Sequence, residues 1–473
     1  MINVEQKENN LIFSYFDSKG DIALYTKEIP EDEMFNWYVD TYAKKPSTVL
    51  SQKGENVKKV NAKKLNRYRI EELIIKYVSK EERKFLFEDF NYPNVWFCDI
   101  EVEIKDGFPT AEKASTPITN ICLTNKDKIV VMGLKQLSDS YIQKLYTDIS
   151  EYFKKYNYKP KIKYIFFDSE KDMLDYFFYK AMPKIPLLTG WNFVNYDWLY
   201  LCNRASIYNI DISLTSPTQN IYSTKSQKFI VQHRPILDYM ELYLKYDRKI
   251  SDKNESATLD FVSKKAIGIG KIKFEKTLTE LYEQDYYKYT LYNVVDTLLV
   301  QFVDEYLQSL RTFLFMSYIT EIQIDEPLGS VKMTEMQYLR EYYKENKIFV
   351  KEYTEDAKRG GKKYAGAFVK DITPGFYLWV ISIDATSLYP SIMMEWEVSP
   401  ENFIGKYTDS KHLEILKRNF PNYIITKTNA VFDKTKKSYS RTILEKHFNE
   451  RQDIKNMMFE SEKKLEYLKS LLK

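Results

Sequence analysis

Residues Val95-Trp96-Phe97-Cys98-Asp99-Ile100-Glu101 form an apolar run that ends in two carboxylates separated by a single residue. The run follows the chain-breaking Tyr92-Pro93-Asn94 and has the length and composition of a buried β-strand. Because successive side chains of a strand alternate between its faces, Asp99 and Glu101 point to the same face. Carboxylates crowded there repel each other unless a cation lies between them, and their hard oxygens suit Mg²⁺ or Mn²⁺. The stretch therefore predicts a strand that opens a new domain and carries part of a metal site.

The pattern beyond this strand predicts an α/β or α+β domain that extends to about residue 309. Further strand-like runs occupy residues 118–123, 129–133 and 163–167, and a helical pattern follows at 170–182.

Further acidic residues follow at wide intervals and complete the predicted site. Asp197 ends an Asn-Phe-Val-Asn-Tyr-Asp sequence, and Asp296 ends a Tyr-Asn-Val-Val-Asp sequence. With Asp99 and Glu101 they are expected to hold two metal ions about 4 Å apart, one activating water and the other stabilising a departing 3′ oxygen. Tyr292 precedes Asp296 by four residues, so on a helix its hydroxyl lies over the same face and can hold the attacking water. Each motif alone is common in ordinary strands, turns and helices, but the ordered set predicts a two-metal nuclease.

A second acidic motif is the unbroken run Asp384-Ala385-Thr386-Ser387-Leu388-Tyr389-Pro390-Ser391, which follows an apolar segment. We expect residues 376–384 to form a buried strand with the metal ligand Asp384 at its end, followed by a turn into a helix. Backbone N–H groups in such a turn can hold triphosphate oxygens. Tyr389 can stack beneath an incoming sugar, where its ring would clash with a 2′-hydroxyl. The run predicts part of a nucleotidyl-transfer site.

The last segment, Arg441–Lys473, has a helical pattern with apolar residues on one face. Two interpretations of that face stay open, a coiled-coil seam and a hairpin with another helix. Arg451 and Lys455 are four residues apart, so they share a helix face and can grip phosphates. Glu450 and Asp453 lie beside them, which is also typical of a solvated charged surface.

Composition limits the class of protein. The chain has 473 residues, of which 44% are hydrophobic and 16% aromatic, with a net charge of +4; this favours about two to four packed domains over disorder. Three cysteines without paired spacing and three scattered histidines favour a reducing compartment and disfavour a zinc site. Without a signal peptide or a bilayer-spanning apolar stretch, we expect a soluble cytosolic protein. Residues 51–70 contain seven Lys and Arg residues against Glu55 alone, which indicates either a solvated segment or a phosphate-contacting strip.

The ordered motifs resemble those of the replicative family B DNA polymerases of T-even-type tailed bacteriophages, from about Val95 onward. Four further segments support the resemblance. They are Gly107-Phe108-Pro109, residues 219–239, similar to a β-hairpin that helps move the primer between active sites, residues 364–369, similar to the segment that joins exonuclease and palm and contacts DNA, and residues 448–455, similar to the first fingers helix. The implied fold is a multidomain α/β and α+β chain. It would comprise an N-terminal domain (1–95 plus 310–364), a ribonuclease H-like 3′–5′ exonuclease domain (96–309), the first part of a palm (365–440) and the start of a fingers helix (441–473).

The resemblance also implies roles for residues and partners. Proofreading would rest on the nuclease set, DNA synthesis on Asp384, and each active site would use two Mg²⁺ ions, for which Mn²⁺ can substitute. The backbone of Ser387 and Leu388 would touch the triphosphate, and Tyr389 would exclude ribonucleotides. Tyr364 and Gly366 would contact DNA. The expected partners are primer–template DNA, single-stranded DNA and deoxynucleoside triphosphates, with no membrane, and the host-cell cytoplasm is the expected location of a phage-encoded chain.

Two motifs of that family are absent from this sequence, the fingers motif with Lys, Asn and Tyr-Gly and the palm motif Asp-Thr-Asp. We therefore expect the N-terminal portion of a polymerase, either naturally split or truncated. DNA synthesis would then require a second chain that supplies the rest of the fingers, palm and thumb, and a sliding clamp would bind only through that second part. The alternatives are a stand-alone 3′–5′ exonuclease with a degenerate palm remnant and a non-catalytic nucleic-acid-binding fragment.

Overall fold

The computed structural model divides the chain into two compact units. They are Met1–Glu33 with Lys76–Met333, and Met34–Ile75 with Thr334–Lys473. The described residues are 1–43, 49–52, 54–105, 107–224, 228–247, 255–324, 329–350, 370–371, 373–385, 387–407, 410–419 and 421–471. None of the helices within these ranges combines the length and apolar character that crossing a bilayer requires. The division into four domains stays a prediction, since compact units need not coincide with domains.

The strands and helices are numbered in chain order. The strands are β1 (Asn3–Lys7), β2 (Asn10–Phe16), β3 (Ile22–Glu28), β4 (Phe35–Val39), β5 (Leu50–Ser51), β6 (Val57–Asn61), β7 (Val95–Val102), β8 (Ile118–Asn125), β9 (Lys128–Gly133), β10 (Lys161–Phe166), β11 (Leu187–Gly190), β12 (Ile221–Ser223), β13 (Phe229–Val231), β14 (Ile236–Asp238), β15 (Lys347–Ile348), β16 (Phe403–Lys406), β17 (Tyr423–Ile425) and β18 (Ala430–Asp433). The helices are α1 (Arg67–Tyr77), α2 (Lys80–Arg83), α3 (Asp139–Tyr152), α4 (Glu170–Tyr176), α5 (Asp197–Ile207), α6 (Tyr239–Tyr246), α7 (Leu259–Ile267), α8 (Leu278–Gln284), α9 (Tyr286–Leu307), α10 (Ser309–Ile319), α11 (Ser330–Lys344), α12 (Leu388–Glu395), α13 (Ser410–Asn419) and α14 (Tyr439–Leu471).

A six-stranded mixed sheet organises the first unit, in the order β10-β9-β8-β7-β11-β14. β8 is antiparallel to both of its neighbours, whereas the other neighbouring pairs are parallel. In this order β7 is an interior strand, paired with β8 on one side and β11 on the other. The strands predicted near residues 95, 118, 129 and 163 are confirmed, as is the helical stretch after Glu170, which continues through irregular turns to Lys184.

Both faces of β7 are covered, because its apolar residues alternate between two hydrophobic clusters. Val95 and Phe97 pack in the cluster that contains α9, and Cys98 and Ile100 pack in the cluster that contains α5. Fully burying one aliphatic side chain of this kind contributes roughly 1.5–3 kcal/mol. The packing therefore fixes the position and the rotation of the strand that carries Asp99 and Glu101.

A buried ion pair fixes α5 against the sheet. The Arg204 Nε donates to the Glu170 Oε1 at 2.7 Å, and the Ile118 backbone N–H donates to the same oxygen at 2.8 Å. The Tyr208 hydroxyl donates to the other carboxylate oxygen at 2.9 Å, and Arg204 Nη1 donates to the Ala114 carbonyl at 3.1 Å. Every charge of the pair is thus hydrogen-bonded, which a buried pair needs in order to offset its desolvation.

The hairpin expected within residues 219–239 is confirmed as the antiparallel pair of β12 and β13 in the first unit. That unit also contains an antiparallel meander of β1, β2 and β3.

The second unit contains shorter sheets and longer helices. β4 pairs with β6, β5 pairs with β15, and β16, β18 and β17 form a three-stranded sheet. The basic segment 51–70 contributes the exposed side chains of Lys58 and Lys59 on β6, but Arg69 is buried with its Nη1 2.5 Å from the Glu72 Oε1. The basic strip on the surface is therefore smaller than the sequence suggests.

The prediction of a buried strand at residues 376–384 is wrong. The described residues 373–385 form no strand, and Leu378 and Ile383 are 87% and 91% exposed. Trp379 has a backbone φ of +63°, which an extended strand does not allow. In addition, no strand of the described ranges pairs with this segment. An apolar run becomes a buried strand only where neighbouring strands accept its hydrogen bonds and cover its faces.

We expect Arg204→Ala to lower the free energy of unfolding of the first unit by about 3–5 kcal/mol, because the Glu170 carboxylate stays buried without its cation. The matched control Lys171→Ala removes a surface pair with Asp175 and should cost less than about 0.5 kcal/mol. Urea denaturation followed by near-UV circular dichroism measures both changes. Equal losses in the two variants contradict this role of the buried pair.

Candidate active site

The predicted nuclease residues converge within the first unit. Asp99 and Glu101 lie on β7, Asp197 is the first residue of α5, and Tyr292 and Asp296 lie on α9, which packs against β7. Residues separated by almost 200 positions are therefore brought to one place by the central strand and one helix from each side of the sheet.

Backbone and side-chain donors hold two of these carboxylates. The Asn293 Nδ2 donates to the Asp99 Oδ2 at 2.7 Å, and the Ile100 backbone N–H donates to the Asp197 Oδ1 at 3.1 Å. Asn293 is completely buried. It was missed in the sequence, although it stands between the predicted residues Tyr292 and Asp296, because an asparagine on a helix carries no signal of its own.

Lys271 is a second residue of the site that the sequence did not indicate. Its Nζ lies 2.6 Å from the Asp296 Oδ2 and 3.4 Å from the Tyr292 hydroxyl. The other carboxylate oxygen of Asp296 is buried and accepts no hydrogen bond from the described residues. Lys271 follows the short Gly268-Ile269-Gly270 segment after α7, where a lysine is indistinguishable from the many solvated lysines of the chain.

Burial and mutual repulsion govern the protonation of the site. Burial, and then the charge of Asp296, raise the pKa of Asp99 to about 7. The same two causes, burial first and neighbouring carboxylates second, raise the pKa values of Glu101 and Asp197 well above their usual range. Burial also raises the pKa of Asp296, although Lys271 opposes this increase. The acidic groups therefore lie within electrostatic reach of one another, and Lys271 compensates their charge only in part.

A divalent cation fits this donor set. Carboxylate oxygens are the ligands that Mg²⁺ and Mn²⁺ prefer, and the unpartnered oxygen of Asp296 is available to one. Within the described ranges no three acidic, His or Cys side chains converge closely enough to ligate a single ion. The four carboxylates are therefore divided between more than one ion in any arrangement that uses them all.

An aromatic pair with one exposed and one half-buried ring lies beside Asp197. Phe108 is 65% exposed and stacks on Tyr196 with ring centroids 5.3 Å apart. The Tyr196 hydroxyl donates to the Pro109 carbonyl at 3.1 Å, which fixes the loop that follows β7 next to Asp197. A flat exposed ring in this place is a platform on which a nucleobase can stack.

The predicted nucleotidyl-transfer residues lie in the second unit and are open to solvent. Asp384 and Tyr389 are exposed, and Ser387 adopts a left-handed backbone with φ +53° immediately before α12. α12 packs against α14, on which Arg451 and Lys455 are exposed. The predicted turn into a helix is confirmed. Within the described part of the chain, however, no ion pair or hydrogen bond joins Asp384 to either basic residue. Tyr364 and Gly366 lie outside the described residues.

The fold and the acidic site define an α/β protein with buried carboxylates on a central strand, and comparison with known families gives its class. The model for the exonuclease domain of DNA polymerase family B matches residues 43–259, and the model for DNA polymerase family B matches residues 329–471. The chain belongs to family B of the DNA polymerases and carries the exonuclease domain of that family.

Individual relatives agree with this assignment. The DNA-directed DNA polymerases of Escherichia phage RB69 and Enterobacteria phage T4 are each 25% identical to this chain, over 100% of its length and 55% of their own. DNA polymerase 1 of Sulfolobus acidocaldarius is 25% identical over 65% of this chain and 35% of its own length. The resemblance to phage polymerases is confirmed, and the chain spans about half the length of the phage relatives.

We expect the metal-free protein, in a chelating buffer, to lose stability as the pH rises from about 5 to 8. The folded pKa of Asp99 is about 7, against an unfolded value of about 3.9. Between these values the folded state binds the extra proton, so the free energy of unfolding falls with rising pH. Urea denaturation at several pH values measures the slope. Asp99→Asn should flatten it, and a slope unchanged in this variant contradicts the raised pKa.

Proposed function

We propose that the first unit is a 3′–5′ exonuclease of ribonuclease H-like fold that removes nucleotides from DNA ends in the service of a family B polymerase. The observation that carries this proposal is the meeting of Asp99, Glu101, Asp197 and Asp296 on the central strand and the helices that flank it. The mixed sheet, with a single strand antiparallel to both neighbours, supports the fold.

Two Mg²⁺ ions, or Mn²⁺ in their place, are the proposed cofactors, held by the four carboxylates. When bound, such ions generate a nucleophilic water at neutral pH and stabilise the charge of the leaving 3′ oxygen. Ligation keeps the carboxylates ionised, although burial alone favours their protonated forms. The Asn293 amide holds Asp99, and the Ile100 N–H holds Asp197, in fixed orientations before any ion enters.

The remaining residues of the site bind and orient the DNA end in this proposal. The Tyr292 hydroxyl holds the attacking water, since burial raises its pKa and keeps it a hydrogen-bond donor at neutral pH. Once another cation neutralises Asp296, Lys271 becomes available to the scissile phosphate. Phe108 stacks on a terminal base, which requires a frayed or single-stranded end because a paired base already stacks in its duplex.

In the second unit we propose a part of the polymerase site. Asp384 binds the metal ions of nucleotide addition, the backbone of Ser387 and Leu388 touches the triphosphate, and Tyr389 excludes ribonucleotides. The exposed start of α12 supports this proposal, since the N–H groups of a helix N-terminus attract phosphate oxygens.

Further binding residues and partners belong to the same proposal. Arg451 and Lys455 grip the triphosphate, and Tyr364 and Gly366 contact DNA. The proposed substrates are primer–template DNA, single-stranded 3′ ends and deoxynucleoside triphosphates. Synthesis requires a second metal-binding carboxylate in addition to Asp384. The cytoplasm of a host cell is the proposed location.

The exonuclease proposal is tested by digestion of a 3′-labelled single-stranded DNA with Mg²⁺. We expect digestion by the parent chain, loss to background in Asp99→Ala, and a decrease on the order of 10–100-fold in Tyr292→Phe, which keeps the ring but loses the hydroxyl that orients water. Asp175→Ala, on the exposed side of α4, is the control and should digest like the parent. No digestion by the parent, or full activity in Asp99→Ala, contradicts the proposal.

The polymerase proposal is tested by primer extension. We expect the chain by itself to shorten a primer but not to extend it, because two-metal transfer needs a carboxylate in addition to Asp384. Extension by these 473 residues alone contradicts the requirement for a further carboxylate and leaves the exonuclease proposal intact.

A further inference from the structure

The pairing of β7 with β8 changes register beside the acidic site. Glu101 pairs with Asn120, but Val102 pairs with Ile118, so Thr119 has no partner on β7. Such an extra residue is a β-bulge, which bends its strand and redirects neighbouring side chains. The bulge lies directly opposite Glu101, one of the proposed cation ligands.

The bulge turns two successive polar side chains toward α9. The Thr119 Oγ1 lies 2.6 Å from the Tyr289 hydroxyl, and the Asn120 Oδ1 accepts from the Tyr286 hydroxyl at 2.6 Å. In a regular strand these neighbours would point to opposite faces of the sheet. Tyr286 and Tyr289 lie on α9 and stack with ring centroids 6.0 Å apart. One helix therefore contacts both side chains of the bulge.

The direction of the hydrogen bonds follows from the number of protons. The Thr119 hydroxyl has a single proton and donates it to the Glu101 carbonyl oxygen at 3.0 Å. Tyr289 must then donate to Thr119, which gives a chain from α9 through the bulge to the backbone of Glu101. Tyr289 and Thr119 are 1% and 2% exposed, so no solvent competes for these bonds, and consecutive bonds strengthen one another.

A glycine on the neighbouring strand leaves room for this network. A Cβ atom at Gly133 would lie 2.2 Å from the Tyr286 hydroxyl oxygen and 2.3 Å from that of Tyr164. The two hydroxyls are 2.9 Å apart. Any side chain at this position would push Tyr286 away from Asn120. The glycine at position 133 is therefore needed for the hydrogen bond that Tyr286 makes with the bulge.

We propose that Thr119 and Tyr289 are positioning residues that aim Glu101 at the cation site. Their hydroxyls fix the carbonyl of Glu101 and so the peptide plane that sets the direction of its Cα–Cβ bond. This inference rests on the proposed exonuclease function. It assigns the two residues no contact with DNA or cation, so their effect is transmitted through Glu101 alone.

The test is Mn²⁺ binding to the full chain, measured by electron paramagnetic resonance of the free ion. Tyr289→Phe and Thr119→Val each remove one hydroxyl and keep the shape of the side chain. We expect both to weaken Mn²⁺ binding on the order of 10-fold, the usual effect of losing a partner that orients a ligand. Thr119→Ser keeps the hydroxyl and should restore binding.

Tyr282→Phe is the matched control, because Tyr282 belongs to the same aromatic cluster but its hydroxyl makes no hydrogen bond within the described residues. It should bind Mn²⁺ like the parent. Thermal unfolding of each variant shows that the fold is retained. In DNA digestion, kcat should fall in Tyr289→Phe and Thr119→Val while KM for DNA stays unchanged.

Parent-like Mn²⁺ binding in Tyr289→Phe and Thr119→Val overturns the proposal, as does an equal weakening in Tyr282→Phe. Absence of Mn²⁺ binding by the parent overturns it together with the metal site. Weakened Mn²⁺ binding in the two variants supports the positioning role, whether or not the parent digests DNA. If the parent binds Mn²⁺ but digests no DNA, only the exonuclease function is contradicted.

Discussion

The burial of several carboxylates around one central strand is the constraint on which the first unit depends. Charge in a poorly solvated place is costly unless it is compensated. This chain compensates it with a lysine, an asparagine amide and a backbone N–H: Lys271 pairs with Asp296, Asn293 with Asp99, and Ile100 with Asp197. The compensation is incomplete, since the pKa values of the acids stay raised. A site of this kind is poised to take up positive charge.

The scaffold around the site is correspondingly rigid. Apolar side chains of β7 pack on both faces of the sheet, and the Glu170–Arg204 pair ties α4, α5 and β8 together. The acids thus come from elements whose packing opposes a separation that would relieve their repulsion. Catalytic groups act most strongly when they are held in the reactive geometry in advance. Groups that must first be brought together spend part of their free energy on that ordering.

Much of the acidic site could be predicted from the sequence, because strand alternation and helix periodicity decide where Asp99, Glu101 and Asp296 point. Lys271 and Asn293 could not be predicted, since their roles depend on contacts between distant segments. The strand expected at residues 376–384 is not formed. Apolar composition identifies a segment that is able to form a strand, but the strand forms only where a neighbouring strand pairs with it. Register is also invisible in a single sequence, so the bulge at Thr119 appears only once β8 lies beside β7.

Lys271 partly neutralises the acidic site when no metal ion is bound. Its ammonium group already sits on Asp296, so part of the positive charge that these buried acids need comes from the chain itself. Binding of a divalent ion to the Asp296 Oδ2 would then be an exchange, in which an internal cation leaves and an external one takes its place. The affinity for the ion would include the cost of separating the ammonium group of Lys271 from Asp296.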